Sequence, residues 1–536
     1  MCFILYSLSA VLSGLLLSMT FPCANMSLIA FIAMVPLLSA IRGQSISKAF
    51  VLGIITGIVF FGILLFWIAG IRLYQVDQWL LVMGWIVATI ACALFIGIFA
   101  MGVCIWETKI SSPLSTFHFQ LSTLFAPAII WTALEFIRSH FPLEGFPWGI
   151  LGYSQYQNLI LIQAAEFTGV FGISFLIVLV NTAIVGIISR TKINWYGTGI
   201  TVVVIILCLV WGNIKLGETP ASGKSLKVAV IQTNIGIDQS WEWETSRERI
   251  LLMLNRLTSK AAKANPDLII WTETAILSSP ATSPWMKKKL SSITAQLNSY
   301  LLVGAPHMIE GNYYNSAFLI SSKGQIINRY DKIHLVPFGE MIPGEELFPL
   351  LRKIFPQAGI YSRGKKYTVF NEPGRFCTLI CYEGIFGDLT RRFVEKGAEF
   401  IVNISNDAWT RTKASYYQHV SMDVFRAVEN RRYFIRAGNT GISAIINPNG
   451  KIEHLIGVGK EGIIIGQVFL NNHLTVYSQR GDIFAWLCLI ITILVLLASS
   501  KCNAIAYWHV RKSLTYEYCC DILKSKCKPL ACNENP

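Results

Sequence analysis

Eight apolar runs, unevenly placed, limit what this chain can become. They fall at about Phe3 to Ser18, Met26 to Ile41, Ala49 to Ile71, Trp79 to Ile105, Leu121 to Ile137, Leu159 to Ile188, Tyr196 to Ile214 and Ile483 to Ser499. Most approach or exceed the ~20 residues that carry a helix across a hydrocarbon core; the first two are short but sufficient. Lipid offers backbone groups no water, so runs of this kind are satisfied as helices. With 53% apolar residues, a mean hydropathy of +0.51 and only 14% charged residues, the chain is expected to be largely membrane-embedded. No Lys or Arg precedes Arg42, so the first run reads as a span and not as a cleaved leader.

Charge sets the expected orientation. With the N-terminus inside, the inner loops carry Arg42, Lys48, Lys109, Arg190 and Lys192, and the tail adds Lys501, Arg511, Lys512, Lys524, Lys526 and Lys528. The outer loops hold little beyond Arg72 and Arg138, which is the bias that spans of this orientation show. Seven spans then place the polar segment from about Lys215 to Arg480 on the outer face, in a bacterium the periplasm. The expected division is a membrane domain over 1–215, an outer polar domain over 220–475, an eighth span over 482–500 and a basic, Cys-containing cytoplasmic tail over 501–536.

The net charge of +14 invites a nucleic-acid reading, but there is no basic helix, finger spacing or stacking platform to support one. The surplus matches an inner-facing bias and anionic lipid headgroups. Of thirteen cysteines only Cys377 and Cys381 lie in the outer segment, while five sit in the tail, where thiols stay reduced. Four residues along a strand separate Cys377 from Cys381 by about 13 Å, too far for a disulfide, which needs Cα atoms within roughly 7 Å. Cys381 is therefore expected as a free thiol in an oxidising compartment.

The outer segment reads as alternating strands and helices. The run FCTLICYEG, Phe376 to Gly384, is a buried strand ending at Cys381, followed by a helix signal that Asp388 can cap and by a strand from Glu399 to Ile404. Open α/β sheets place their chemistry at such carboxyl ends. Upstream, Asp267 to Trp271 is a strand with Glu273 two residues past it, in WTET. Strands Asn315 to Ser321 and Gln325 to Tyr330 form a hairpin turned by Lys323 and Gly324, and Lys332 lies two residues past the second. Alone, Cys381 reads equally as a small core residue, Glu273 as a strand-end carboxylate and Lys332 as a solvated ammonium. Together they suit acyl transfer: a carboxylate takes the thiol proton, and an ammonium favours the thiolate and then the oxyanion. His307, His334 and His419 leave a Cys-His arrangement open, though none lies in a recognisable protease context.

Glu273 in IIWTET, Lys332 in RYDKIHLVPFGE and Cys381 in LICYEG, in that order, resemble the Glu-Lys-Cys triad of the nitrilase superfamily. With the flanking spans and GFPWGILGYSQ, AEFTGVFGISF, NDAW and NTGISA, the chain resembles the apolipoprotein N-acyltransferase family from the first span to about Ser499. The resemblance implies an α/β fold, a nitrilase-like αββα sandwich inserted between spans seven and eight. It implies no metal and no cofactor. The implied partners are a phospholipid acyl donor, diacylglyceryl apolipoproteins and membrane lipids, with a monomeric enzyme. By the same resemblance Cys381 takes the sn-1 acyl chain as a thioester and passes it to the α-amine of a diacylglyceryl-cysteine, with Glu273 as base and Lys332 at the oxyanion. Glu340 is then expected to support Lys332, Tyr382 and Glu383 to shape the pocket, and Trp241 and Trp409 to line substrate access.

Two features depart from the family pattern. Thr410, Arg411, Thr412 and Lys413 follow NDAW where an aromatic, a glycine and an acidic residue are usual, and the Cys-rich tail has no counterpart. Two other functions compete: a membrane-tethered nitrilase-type amidase, which needs no spans, and a transporter or receptor, which predicts more polar residues within them. Glu135 and Arg138, one helical turn apart, are expected to pair at the outer end of the fifth span. The aromatic loop Leu143 to Asn158 is expected to be re-entrant at the outer leaflet.

Overall fold

The computed structural model describes residues 2–497 except 73–75, 111–115, 143, 190–194, 219–222, 237–242, 346–347, 355–357, 360 and 411. Trp241, Arg411 and the tail beyond Leu497 therefore lie outside the described residues.

The apolar runs form helices, several of them broken. Cys2–Met19, Ile46–Leu64, Gln78–Ile110, Thr116–His140, Ala165–Ile188 and Trp195–Gly217 precede the polar segment, and Ile483–Leu497 follows it. Four of these are long and apolar enough to cross a membrane by length and composition. The run Met26 to Ile41 is not one helix but three pieces, Ser27–Ile29, Ala30–Ala33 and Val35–Ile41. Asn181 of a distant helix satisfies the backbone freed at the break: its Oδ1 accepts from Met34 N at 2.9 Å and its Nδ2 donates to Ala30 O at 2.8 Å. A break buried against protein is tolerated at this depth because such partners exist. Helices Ile46–Leu64 and Gln78–Ile110 touch closely through small residues. A Cβ on Gly53 meets Ile96 O at 2.5 Å, and one on Gly57 meets Ala93 Cα at 2.5 Å.

Glu135 and Arg138 do more than face each other. Arg138 Nη1 donates to Phe146 O at 2.7 Å and Trp148 O at 2.6 Å, while Glu135 Oε1 accepts from Leu151 N at 2.7 Å. The expected end-of-helix ion pair is instead a clamp on the following loop. That loop is buried against protein: Trp148, Leu151, Tyr153 and Gln155 are nearly inaccessible.

The polar segment folds into two six-stranded mixed sheets. The first is built from β1 (Ser225–Gln232), β2 (Leu268–Ile270), β3 (Tyr300–Ile309), β4 (Asn312–Ile320) and β5 (Ile326–Asp331), together with β12 (Gly462–Phe469). Its order is β12-β1-β2-β3-β4-β5, parallel from β1 to β3 and antiparallel elsewhere. The second contains β6 (Val369–Phe370), β7 (Phe376–Ile380), β8 (Phe400–Ser405), β9 (Phe434–Gly438), β10 (Ser443–Ile446) and β11 (Ile452–Ile456). Its order is β11-β10-β9-β8-β7-β6, parallel through β7, β8 and β9.

Strand alternation builds the layers. In β1, Val228 and Val230 point into one core, and Ala229 and Ile231 into another, beneath helices Trp243–Ala262 and Pro284–Thr294. Each of these valines and the isoleucine removed from water contributes about 1.5–3 kcal/mol. Helix Gly387–Glu395 starts two residues earlier than a cap at Asp388 requires, and Asp388 instead pairs with Arg391 and Arg392 at 2.8 and 2.7 Å.

Helix Lys413–Asn430 is buried along nearly its whole length despite Gln418, His419, Asp423, Arg426, Glu429 and Asn430. It lies between the second sheet and the apolar helices. Gln418 Nε2 donates to Pro22 O and Leu64 O, both at 3.2 Å, and its Oε1 accepts from Trp148 Nε1 at 2.7 Å. Glu429 Oε1 accepts from Val170 N at 3.1 Å, and Arg431 Nε donates to Glu166 Oε2 at 2.6 Å. The outer helix layer of the sandwich is thus the inner lining of its seat on the apolar bundle.

Candidate active site

Three strand ends converge where the two sheets face each other. Glu273 follows β2 by three residues, Lys332 follows β5 directly, and Cys381 follows β7 directly. β2 and β5 belong to the first sheet and β7 to the second, so the group straddles the crevice between them.

The backbone is held unusually at Cys381 and beside Glu273 and Glu340. Cys381 has φ 52°, Thr274 beside Glu273 has φ 46°, and Phe338 near Glu340 has φ 60°. Non-glycine residues there carry roughly 1–3 kcal/mol of strain, which surrounding structure must override. At Cys381 the turn from β7 into the single-turn helix Cys381–Ile385 lifts the thiol off the strand end. Gly304 on β3 makes room for Glu273: a Cβ there lies 2.4 Å from Thr272 O and 2.7 Å from Glu273 Cα.

Lys332 Nζ sits 2.9 Å from Glu340 and 3.4 Å from Glu273 Oε1, with all but about 1% of its side chain covered. Glu340 Oε2 also accepts from Val336 N at 2.9 Å. Glu273 Oε2 accepts from Asn406 N at 2.7 Å. Asn315 Nδ2 donates to Oε1 of both Glu273 and Glu340, at 2.8 Å each. Glu340 is thus the tight counterion of Lys332, and Glu273 is the carboxylate left freer to take a proton.

Electrostatics assign matching protonation states. Burial pulls the Lys332 ammonium down, but Glu340 and Glu273 outweigh it, so its pKa ends above the usual lysine value. Burial raises Glu273, and Lys332 only partly restores it. Burial also raises the Cys381 thiol, the Glu273 carboxylate raises it further, and Lys332 opposes both. At rest the sulfur is therefore a thiol beside a carboxylate of raised proton affinity. His419 is held down to about 3 by burial and by Arg436, so it stays neutral and supplies no base.

The other expected residues divide by location. Tyr382 is half-buried, edge-on to Phe386 with centroids 5.1 Å apart. Trp409 is half-buried 5.8 Å from Trp67, whose ring lies 4.8 Å from Trp148, an aromatic row joining the sandwich to the apolar helices. Glu383 lines no open pocket, being fully buried. Its Oε1 accepts from Tyr330 Oη and Ile333 N at 2.7 Å and from His334 N at 3.1 Å, and its Oε2 accepts from Ile380 N at 2.8 Å. It ties the lysine-bearing loop to the nucleophile-bearing one.

Sequence reading missed Asn315 and Asn406. The available signal was an amide in YYNSAFLI at the point where β4 turns buried. Among the described residues no group of three or more His, Cys, Asp and Glu is arranged to hold a metal ion.

Two family profiles match. The one described as Apolipoprotein N-acyltransferase N-terminal domain covers residues 13–183, and the one described as Carbon-nitrogen hydrolase covers residues 227–473. The apolipoprotein N-acyltransferase of Geobacter metallireducens is 38% identical to this chain over 496 residues, spanning 90% of this chain and 92% of the relative. That of Gloeobacter violaceus is 29% identical over 499 residues, covering 92% and 93%. That of Chlorobaculum tepidum is 27% identical over 537 residues, covering 92% and 96%.

Proposed function

The chain belongs to the apolipoprotein N-acyltransferase family, and from that premise we propose that Glu273, Lys332 and Cys381 carry its acyl transfer. The enzyme moves a fatty acyl chain from a phospholipid to the N-terminal diacylglyceryl-cysteine of an apolipoprotein, the last step of lipoprotein maturation. The supporting observation is the buried Lys332 held at 2.9 Å by Glu340 while Glu273 stands 3.4 Å from the same ammonium and acts electrostatically on Cys381 in its strained turn.

Each half-reaction closes on itself. Glu273 takes the Cys381 proton as sulfur attacks the sn-1 ester carbonyl, and Lys332 faces the oxyanion. The C–O bond then breaks, Glu273 returns the proton to the departing alkoxide, and a lysophospholipid leaves a thioester on Cys381. In the second half the neutral α-amine attacks the thioester and gives a proton to Glu273. The C–S bond breaks, the sulfur regains that proton, and an amide is released. An α-amine has a pKa near 8, so a neutral nucleophile is accessible at periplasmic pH.

Both substrates are held in lipid, which accounts for seating the sandwich on the apolar bundle through helix Lys413–Asn430. We place seven spans before the sandwich and one after, with the site outside the inner membrane and the tail in the cytoplasm. We take the enzyme to be a monomer, with Trp409 and Trp241 along the path of the acyl chain. The test is Cys381→Ala assayed with labelled phospholipid and a diacylglyceryl peptide. Loss of transfer is expected; retained transfer overturns the reading, and acyl release to water alone in the unmodified enzyme favours the amidase.

A further inference from the structure

We propose that Asn315 is a positioning residue, which keeps Glu273 competent as the base by sharing one amide group between two buried carboxylates that otherwise compete for Lys332. The inference rests on Glu273 being the base.

Asn315 lies on β4, between the strands that lead to Glu273 and Lys332. Its carbonyl accepts from Lys332 N at 2.9 Å, so its backbone is fixed to the lysine. Its Nδ2 reaches Glu273 Oε1 and Glu340 Oε1 at 2.8 Å each. An amide nitrogen has two hydrogens splayed apart, so each carboxylate receives its own. Orientation is unambiguous, because an ionised carboxylate only accepts and a flipped amide sets its oxygen against two anions. The consequence is visible at the other end: Asn315 Oδ1 is buried with no hydrogen-bond partner among the described residues. A strand that buries an orphan acceptor at a site where an aliphatic residue packs without one holds the amide for its donors.

The charge inventory gives those donors their purpose. Lys332 is one cation facing Glu340, Glu273 and the Cys381 sulfur, with the Tyr361 phenol also within reach of both carboxylates electrostatically. Glu340 keeps Lys332 at 2.9 Å and Val336 N at 2.9 Å whatever Asn315 does. Among the described residues Glu273 has only the 3.4 Å contact to Lys332, Asn406 N at 2.7 Å, and Asn315. Without the amide, Glu273 either swings toward Lys332 or holds a proton, and in both cases it cannot accept one from Cys381.

The test follows single-turnover acyl adduct formation on Cys381 in the full-length enzyme with phospholipid, from pH 5 to 9. Asn315→Ala is expected to slow the adduct by more than about 10-fold at pH 7. Its acid limb should move to higher pH, while the half-saturating lipid concentration stays within about twofold. Asn315→Ser, with one donor, should recover part of the rate, and Asn315→Asp, close in volume, should move the acid limb furthest. An Asn315→Ala limb that coincides with the unmodified one overturns the assignment, as does an Asn315→Asp limb that does not move. If the unmodified enzyme forms no adduct on Cys381, it is the reading of the triad that falls, which keeps the two failures distinct.

Discussion

Glu144, on the loop leaving helix Thr116–His140, meets His334 Nδ1 at 3.1 Å, two residues beyond Lys332. The His334 ring lies over Phe386 with centroids 4.4 Å apart and planes 20° off parallel, and Arg363 pairs with the same carboxylate. One carboxylate from the loop after the apolar helix thus holds the lysine loop and Arg363, and the His334 ring it anchors packs on the loop after the nucleophile.

That contact is predicted to depend on pH. Burial lowers the His334 pKa, so the folded protein binds fewer protons there than the unfolded chain as pH falls through the usual histidine range near 6.5. Stability from this site is full above that range and declines below it. Glu144→Gln should slow acyl transfer several-fold and lower thermal stability in detergent by about 1 kcal/mol, since the pair is partly solvated. An unchanged rate and melting temperature for Glu144→Gln contradicts the clamp.

Glu273→Gln separates base from charge. The Glu273 carboxylate raises the Cys381 thiol, so neutralising it should increase the thiolate fraction, read as iodoacetamide alkylation that begins at lower pH. Acyl transfer should nonetheless fall by about 10²–10⁴-fold, the usual contribution of a positioned base. A variant that both alkylates faster and transfers normally shows that proton acceptance lies elsewhere.

Gly304→Ala should act at a distance of one strand. The added methyl collides with Thr272 O and Glu273 Cα, and overpacking of this kind typically costs about 1–3 kcal/mol. The displacement it forces on Glu273 is expected to cut transfer on the order of 10²-fold without changing lipid binding. Full activity in a folded Gly304→Ala variant contradicts the fixed placement of the base.

The strand ends were legible because apolar runs stop abruptly before Glu273 and Cys381, while Lys332 follows the second strand of a hairpin marked by its Lys323-Gly324 turn, and their chemistry follows from residue type. What escaped was set by partners far away in sequence. Asn181 repairs the break at Met34, and the broken second run could not be read without it. Helix Lys413–Asn430 buries polar residues whose partners lie elsewhere in the chain: Gln418, Arg426 and Glu429 reach Trp148, Tyr153 and Val170, while His419 and Asp423 meet Arg436 of β9. Glu383 reads as a pocket residue beside the nucleophile, yet three of its four donors come from β5 and the loop after it, some fifty residues away, and the fourth from the end of β7. The same distance hides Asn315.

Docking through that helix gives a stability prediction. Gln418→Leu removes the acceptor of Trp148 Nε1 and the donor to Pro22 O and Leu64 O. Each buried group left unpaired costs about 1–3 kcal/mol. Thermal unfolding in detergent should show a clear loss, and a melting temperature equal to that of the unmodified protein removes Gln418 from the docking interface.

The most direct measurement is the mass of the Cys381 peptide after incubation with phospholipid in the absence of acceptor. The account predicts one added acyl chain, released by hydroxylamine and discharged by a diacylglyceryl peptide with formation of its N-acyl product. A Cys381 peptide of unchanged mass in enzyme that still acylates the acceptor contradicts it.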